Sequence, residues 1–155
     1  MPNIFYESPS TPVILTIKCC SILAIGVEII VVSTNPSLLA GSGISCVIHK
    51  AAGPQLESAA KPFAPLTSGQ AIITPGFNLS AKYVIHTVCP RYMDGQRGES
   101  EQLYNAYASA LALHSQAPDA KSIAFVSMGT GVYKWPMCHG HHGCWQKAHG
   151  CLYHF

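Results

Sequence analysis

Apolar positions along the chain change period at residue 44. Residues 27–33 (VEIIVVS) form a nearly continuous β-branched run, the pattern of a strand buried on both faces. Asn35-Pro36 ends it, because Pro donates nothing to a sheet ladder and Asn favours turns. Gly41-Ser42-Gly43 follows, a backbone free to take positive φ. From there Ile44, Val47, Ile48, Ala51 and Ala52 recur at helical spacing and mark one face of a helix. Gly53 is read as its cap and Pro54 as its stop.

The same reading extends to both sides. Residues 1–12 hold three prolines and little pattern, so a loosely ordered lead-in is expected. Residues 13–17 read as the first strand, and 19–23 as a turn or short helix. After 52, residues 55–60 add a helical turn or two before Pro62 and Pro65 force a loop. Strands are predicted at 71–74, closed by Pro75-Gly76, and at 83–88 (YVIHTV). His86 inside the latter reads as a core imidazole satisfied by a backbone partner rather than a catalytic one. Residues 99–116 make the longest helix, with Leu103, Ala106, Tyr107, Ala110, Leu111 and His114 as its apolar stripe. Glu99 or Ser100 is suited to its N-terminus. Residues 122–127 (SIAFVS) form another buried strand, which runs into Gly129-Thr130-Gly131-Val132-Tyr133.

Strands alternating with helices predict an α/β fold with a mainly parallel sheet and helices on its faces. Ligands of such sheets sit at the carboxyl ends of the strands. Two Gly-rich loops, each following a buried strand, can flank one elongated ligand. Unpaired loop N–H groups and the positive end of a helix suit phosphate. Glycine in such loops also serves packing alone, so the pattern by itself leaves both uses open.

Composition narrows the picture. The 155 residues suit one domain, 48% hydrophobic and only 10% charged, enough to bury a core. A formal charge of +2 argues against a nucleic-acid surface. Seven cysteines, none in a C-x-x-C pair, argue against a disulfide framework and for a reducing cytoplasm. No Lys or Arg precedes Lys18, so the basic start of a signal peptide is missing. Residues 13–32 are apolar enough to suggest a membrane span. Lys18 and Glu28 inside that stretch, and Gly26 dividing it, favour two buried strands instead.

Three pieces carry a resemblance: STNPSLLAGSGISCVIHKAAGP, ITPGFNLSAKYVIHTVCPRY and SIAFVSMGTGVYKWP. Their order and spacing resemble the macro domain family, in particular its MacroD-type branch of O-acetyl-ADP-ribose deacetylases and mono-ADP-ribosyl hydrolases. The resemblance implies a three-layer α/β/α sandwich around a mixed, mainly parallel sheet over residues 13–136. It implies ADP-ribose, or an ADP-ribosylated protein, as the partner, and it calls for no cofactor. The diphosphate is then expected between Gly41, Ser42, Gly43 and Ile44 on one side and Gly129, Thr130, Gly131, Val132 and Tyr133 on the other. Tyr133 matches the aromatic position that lies against the distal ribose. Asn35 matches the last Asn of the family's VNAAN, which hydrogen-bonds that ribose.

The departures bear on activity. VNAAN is Val32-Ser33-Thr34-Asn35 at its end, with Val32 where the family has its first Asn. The catalytic acid of the MacroD branch, in its GGVDG, falls on Ser45, which has no charge and is a poor general base. The family's adenine-binding GDIT falls on Cys20-Ser21-Ile22-Leu23, which makes Ser21 and Ile22 the adenine-side candidates and puts Ser21 where an Asp stands. The resemblance therefore implies ADP-ribose binding, with hydrolysis at the distal ribose weakened and Asn35 and Ser45 at the catalytic positions. A non-catalytic ADP-ribose reader and a degenerate domain without ligand remain open.

Residues 137–155 depart completely. Between Met137 and Gly150 lie four His, two Cys and three Gly, with no helical period. Cys138, His139, His141, His142, Cys144, His149, Cys151 and His154 are zinc-type ligands, but none of the usual spacings occurs, so no specific metal site is expected. So sudden a change of composition after a well-matched motif is also what a shifted reading frame would produce.

Overall fold

The computed structural model describes residues 4–7, 14–18, 20–136 and 150–154, the first and last of these and Leu15 by backbone alone. Seven strands form one sheet in the order β1-β2-β7-β6-β3-β5-β4. They are β1 (Ile4–Glu7), β2 (Ile14–Lys18), β3 (Ile29–Thr34), β4 (Ala71–Pro75), β5 (Tyr83–Val88), β6 (Ser122–Phe125) and β7 (Gly150–His154). The helices are α1 (Ile44–Ala52), α2 (Pro54–Ala60) and α3 (Glu99–Ala112).

Side chains alternate across a strand, so neighbouring residues report on opposite faces. His86 of β5 lies with its ring centroid 6.1 Å from that of His49 on α1. Its neighbour Thr87 points the other way and donates its hydroxyl to the Ala106 carbonyl of α3. The sheet thus separates α1 and α2 from α3, the three-layer α/β/α sandwich expected. Ile29, Ile30, Val31 and Val32 of β3 are all buried, as a strand covered on both faces requires.

Several expectations are corrected. The sheet is mixed, but only β3 with β5 and β3 with β6 pair in parallel. The other four pairings are antiparallel, so the parallel part is confined to the centre. The expected lead-in contains β1, a four-residue strand too short to show a period. Pro54 starts a helix as well as stopping one: Gly53, at φ 87°, turns the chain between α1 and α2, and Pro54 occupies the first position of α2, where its missing N–H costs nothing. The last turn of the long helix tightens to 3₁₀ geometry at Leu113–Gln116, and Leu111 of the expected stripe is 37% exposed. Glu99 is the first residue of α3 and puts an acid in its first turn, as expected, with Gly98 as the capping residue. Its buried carboxylate also accepts N–H groups of Met93, Asp94, Gly95 and Arg97, and backbone donors, Arg97 first, hold its pKa down to about 2.

In the last segment, β7 inserts between β2 and β6. The candidate ligands Cys138, His139, His141, His142, Cys144 and His149 lie outside the described residues. No three His, Cys, Asp or Glu among the described residues are placed to hold a metal. No described helix is long and apolar enough to cross a membrane.

The three parallel strands start at one end, where Glu28 gathers them. Its carboxylate takes the Lys121 N–H before β6 and the Lys82 ammonium before β5. Lys82 also pairs with Asp119. These exposed pairs add little energy, but they leave the opposite end, where the strands finish, to the cleft.

Candidate functional site

A cleft of about 440 Å³ opens at the carboxyl ends of β3 and β6. Its walls are Ser33, Thr34 and Asn35, then Gly41 to Ser45, then Val126, Ser127 and Gly129 to Tyr133. No charged side chain is among them. Six hydroxyls of Ser and Thr are (Ser33, Thr34, Ser42, Ser45, Ser127, Thr130).

The first wall follows β3. Asn35 organises it through its amide, donating from Nδ2 to the Leu39 carbonyl at 3.0 Å and accepting the Leu39 N–H at 3.3 Å. Glu57 of α2 accepts the Ala40 N–H at 3.1 Å. The loop folds so tightly that a Cβ on Gly41, whose φ is +49°, would stand 2.6 Å from Asn35 Nδ2. Gly43, at φ 64°, is the residue before α1 and offers no side-chain cap. Among the described residues no protein anion sits on the first-turn N–H groups, which with the positive end of the dipole meet the cleft.

Ser45 is 3% exposed. Its hydroxyl lies 3.5 Å from the Leu39 carbonyl and 3.4 Å from His49 Nδ1. The same Nδ1 is 2.9 Å from the Ser45 carbonyl. A carbonyl can only accept, so Nδ1 carries the proton and is no base for the hydroxyl. Ser45 and His49 are not an activated nucleophile pair. His86 lies under α1 with Nε2 3.0 Å from the Thr74 hydroxyl, so its partner is a side chain rather than the backbone expected. Burial, then the neighbouring His49, push its pKa down to about 3. It lines no part of the cleft. The Cys89 thiol, buried beside Ser33, is pushed up to about 11 by burial and stays protonated.

The second wall follows β6. The Thr130 hydroxyl donates to the Ser127 carbonyl at 3.0 Å, and the Met128 N–H donates to the Tyr107 hydroxyl at 3.2 Å. Gly129 has φ +82°, while Gly131 has no positive φ and nothing within 4 Å of where its Cβ would stand. A side chain at 131 would therefore enter open space beside the cleft without backbone strain. Tyr133 is half-buried, which raises its phenol pKa and keeps it neutral. The walls approach closely: a Cβ on Gly43 would lie 3.6 Å from Val132 Cγ2.

The structure thus brings Asn35, Ser45, Gly41 to Ile44 and Gly129 to Tyr133 to one cleft. Ser21 and Ile22 are not among its walls. Ser21 accepts the Leu23 N–H to cap the 3₁₀ helix Ile22–Ala24, and Ile22 is 2% exposed in the core. Sequence reasoning missed Ser33, Thr34, Val126 and Ser127. Each ends or directly follows a central parallel strand, a position that the strand-end rule identifies.

A family model described as the macro domain matches residues 31–142. The chain is 45% identical over 111 residues to a macro domain-containing protein of Lactiplantibacillus plantarum, covering 72% of this chain and 64% of that protein. It is 42% identical over 119 residues to an O-acetyl-ADP-ribose deacetylase of Escherichia fergusonii, covering 74% and 67%. Among solved structures it is similar to a mutant macrodomain of Oceanobacillus iheyensis with ADPR, at TM-score 0.78 and 34% identity, covering 87% of this chain and 75% of that one. The match thus spans somewhat less than two thirds of the first of these relatives.

Proposed function

This chain belongs to the macro domain family, and we propose that its cleft binds ADP-ribose or an ADP-ribose derivative. The observation that carries the reading is the uncapped start of α1 set between two Gly-bearing loops. A diphosphate there is held by backbone N–H dipoles and hydroxyls, which need no counter-charge on the protein. The volume falls within the range of about 300 to 1,000 Å³ typical of small-molecule sites. The relatives named for O-acetyl-ADP-ribose deacetylation and the neighbours holding ADPR support the same ligand.

Binding is favoured over hydrolysis. Attack at the distal ribose needs a base to take a proton from water. The walls offer neutral hydroxyls, a neutral phenol and the Asn35 amide. Ser45 has no base behind it, and Cys89 remains a thiol. The chain is therefore a binder with residual deacetylase or mono-ADP-ribosyl hydrolase activity at most. Calorimetric titration with ADP-ribose tests the first part, with micromolar affinity expected and absence of heat overturning it. Single-turnover release of ADP-ribose from O-acetyl-ADP-ribose or a modified protein tests the second, and a fast parent enzyme would overturn it.

A further inference from the structure

We propose that Trp135 is a positioning residue for the ligand site: its ring fills the space beneath Gly129 and so sets the backbone of residues 129–133. A Cβ on Gly129 would stand 2.3 Å from Trp135 Cδ1 and 3.0 Å from Cγ and Nε1. Glycine at 129 is thus required twice, by its φ of +82° and by the ring against it. The ring is itself fixed at three points. Its indole N–H donates to the Pro90 carbonyl at 2.8 Å. Its ring centroid lies 5.2 Å from that of Tyr92, with the planes tilted by 57°. Its backbone N–H donates to the Gly129 carbonyl at 3.1 Å.

The last bond requires the chain to double back, and the residue that does so is Lys134, at φ 58°. A non-glycine residue in that region persists only where its surroundings over-determine it. Here Lys134 N–H closes on the Gly131 carbonyl at 3.1 Å, and Trp135 holds the next residue in place. Pro90 and Tyr92 follow β5, so the indole ties the exit of β5 to the exit of β6. A further tie runs from the Tyr92 N–H to the Tyr133 carbonyl at 3.0 Å. Trp135 does not line the cleft. It acts through the loop that does, by keeping the N–H groups of 129–133 converged before any ligand arrives, which lowers the ordering cost of binding.

This inference rests on the ADP-ribose reading for its affinity arm only. Parent, Trp135→Ala, Trp135→Phe, Gly129→Ala and the double variant Gly129→Ala/Trp135→Ala are compared by calorimetry with ADP-ribose and by amide hydrogen exchange without ligand. Trp135→Ala is expected to weaken binding about tenfold or more, and Trp135→Phe, which keeps a ring under Gly129, by less than about threefold. Exchange at 129–133 rises in Trp135→Ala while α1 exchanges as in the parent. Gly129→Ala weakens binding alone but costs clearly less on top of Trp135→Ala, because the clash partner is gone and only the strain of the positive φ remains. Fully additive losses, unchanged exchange at 129–133, or equal acceleration in α1 would each overturn the proposal. A parent that binds no ADP-ribose overturns the ligand reading, and the ligand-free exchange still decides the role of Trp135.

Discussion

Residues 35–43 are shaped by polar side chains, whereas residues 127–135 are shaped by an aromatic ring and backbone turns. In the first wall, Asn35 and Glu57 engage the N–H or carbonyl groups of Leu39 and Ala40. In the second, Trp135 packs under Gly129, and the backbone bonds of Lys134 and Trp135 close the loop. The difference teaches where each wall is vulnerable. A wall braced by hydrogen bonds fails when a donor or acceptor is lost, and a wall braced by packing fails when a volume changes. Both deliver the same product, a backbone loop set close beside the cleft.

The largest effect is expected where both walls face the ligand. Gly131 has open space around its Cβ position and no positive φ, so Gly131→Glu leaves folding nearly intact and places a carboxylate beside the diphosphate. ADP-ribose affinity should fall by about 100-fold or more, with thermal unfolding close to that of the parent. Calorimetry showing parent-like affinity would remove the second wall from the site.

Next comes Ser45→Asp in the first wall. The α1 dipole keeps the new carboxylate ionised, and the missing base is supplied. Hydrolysis in single turnover should rise by about 10- to 100-fold, near the low end of what a general base contributes, while affinity changes by less than about threefold. The cost is a carboxylate near the Leu39 carbonyl, which Ser45 now meets with a hydroxyl. Equal rates in the two proteins, with ADP-ribose still bound, would mean that the pocket lacks more than its acid.

The floor under the first wall carries a pH dependence on the acid side. His86 has a folded pKa of about 3 against an ordinary 6.5. The unfolded chain therefore binds the extra proton, and the contribution of this group is full above pH 6.5. Stability should fall by about 1.4 kcal/mol per pH unit, about tenfold in the folded ratio, from pH 6.5 down toward 3. Denaturant titrations at pH 7.5, 6 and 5 check this, and His86→Gln should flatten the slope. A slope that the substitution leaves unchanged would assign the acid sensitivity elsewhere.

Much of this was legible in the sequence because period and punctuation agreed. The α1 boundaries follow from the helical spacing after residue 44 and from the glycines on either side, although Val47 of the expected apolar face is exposed and Ser45 and His49 are buried beside Ile48 instead. Both Gly loops fall at the strand ends where they were expected. The antiparallel flanks were not legible, because pairing direction depends on which strands meet, and nothing within IFYE or GCLYH says what lies beside it. The reach of Trp135 back to Gly129 and Pro90 was hidden for a related reason. A KWP segment at the edge of a recognisable motif gives no sign of what its ring touches across 45 positions of chain. Nor was the capping role of Ser21 visible, since an adenine contact and a helix cap ask for the same small polar residue.

The smallest effect, and the one that separates two roles for a single residue, concerns Asn35. The resemblance gives its amide to the distal ribose, while the structure gives it to Leu39. An amide has a second N–H and a second lone pair, so both uses are chemically compatible, and they differ in consequence. If Asn35 acts by bracing the loop, Asn35→Ala loosens the N–H groups that meet the diphosphate and weakens ADP and ADP-ribose alike. These bonds are partly exposed and water replaces them in part, so a net loss of about 1 kcal/mol, about fivefold in affinity, is expected for both ligands. If it acts on the distal ribose, ADP has no such group and its affinity stays unchanged while that of ADP-ribose falls. We expect the parallel loss, because the two Leu39 contacts already define the amide's orientation. Side-by-side calorimetry of the two ligands on parent and Asn35→Ala decides the matter, and a loss confined to ADP-ribose would return Asn35 to the ribose and leave Glu57 as the main polar brace of the first wall.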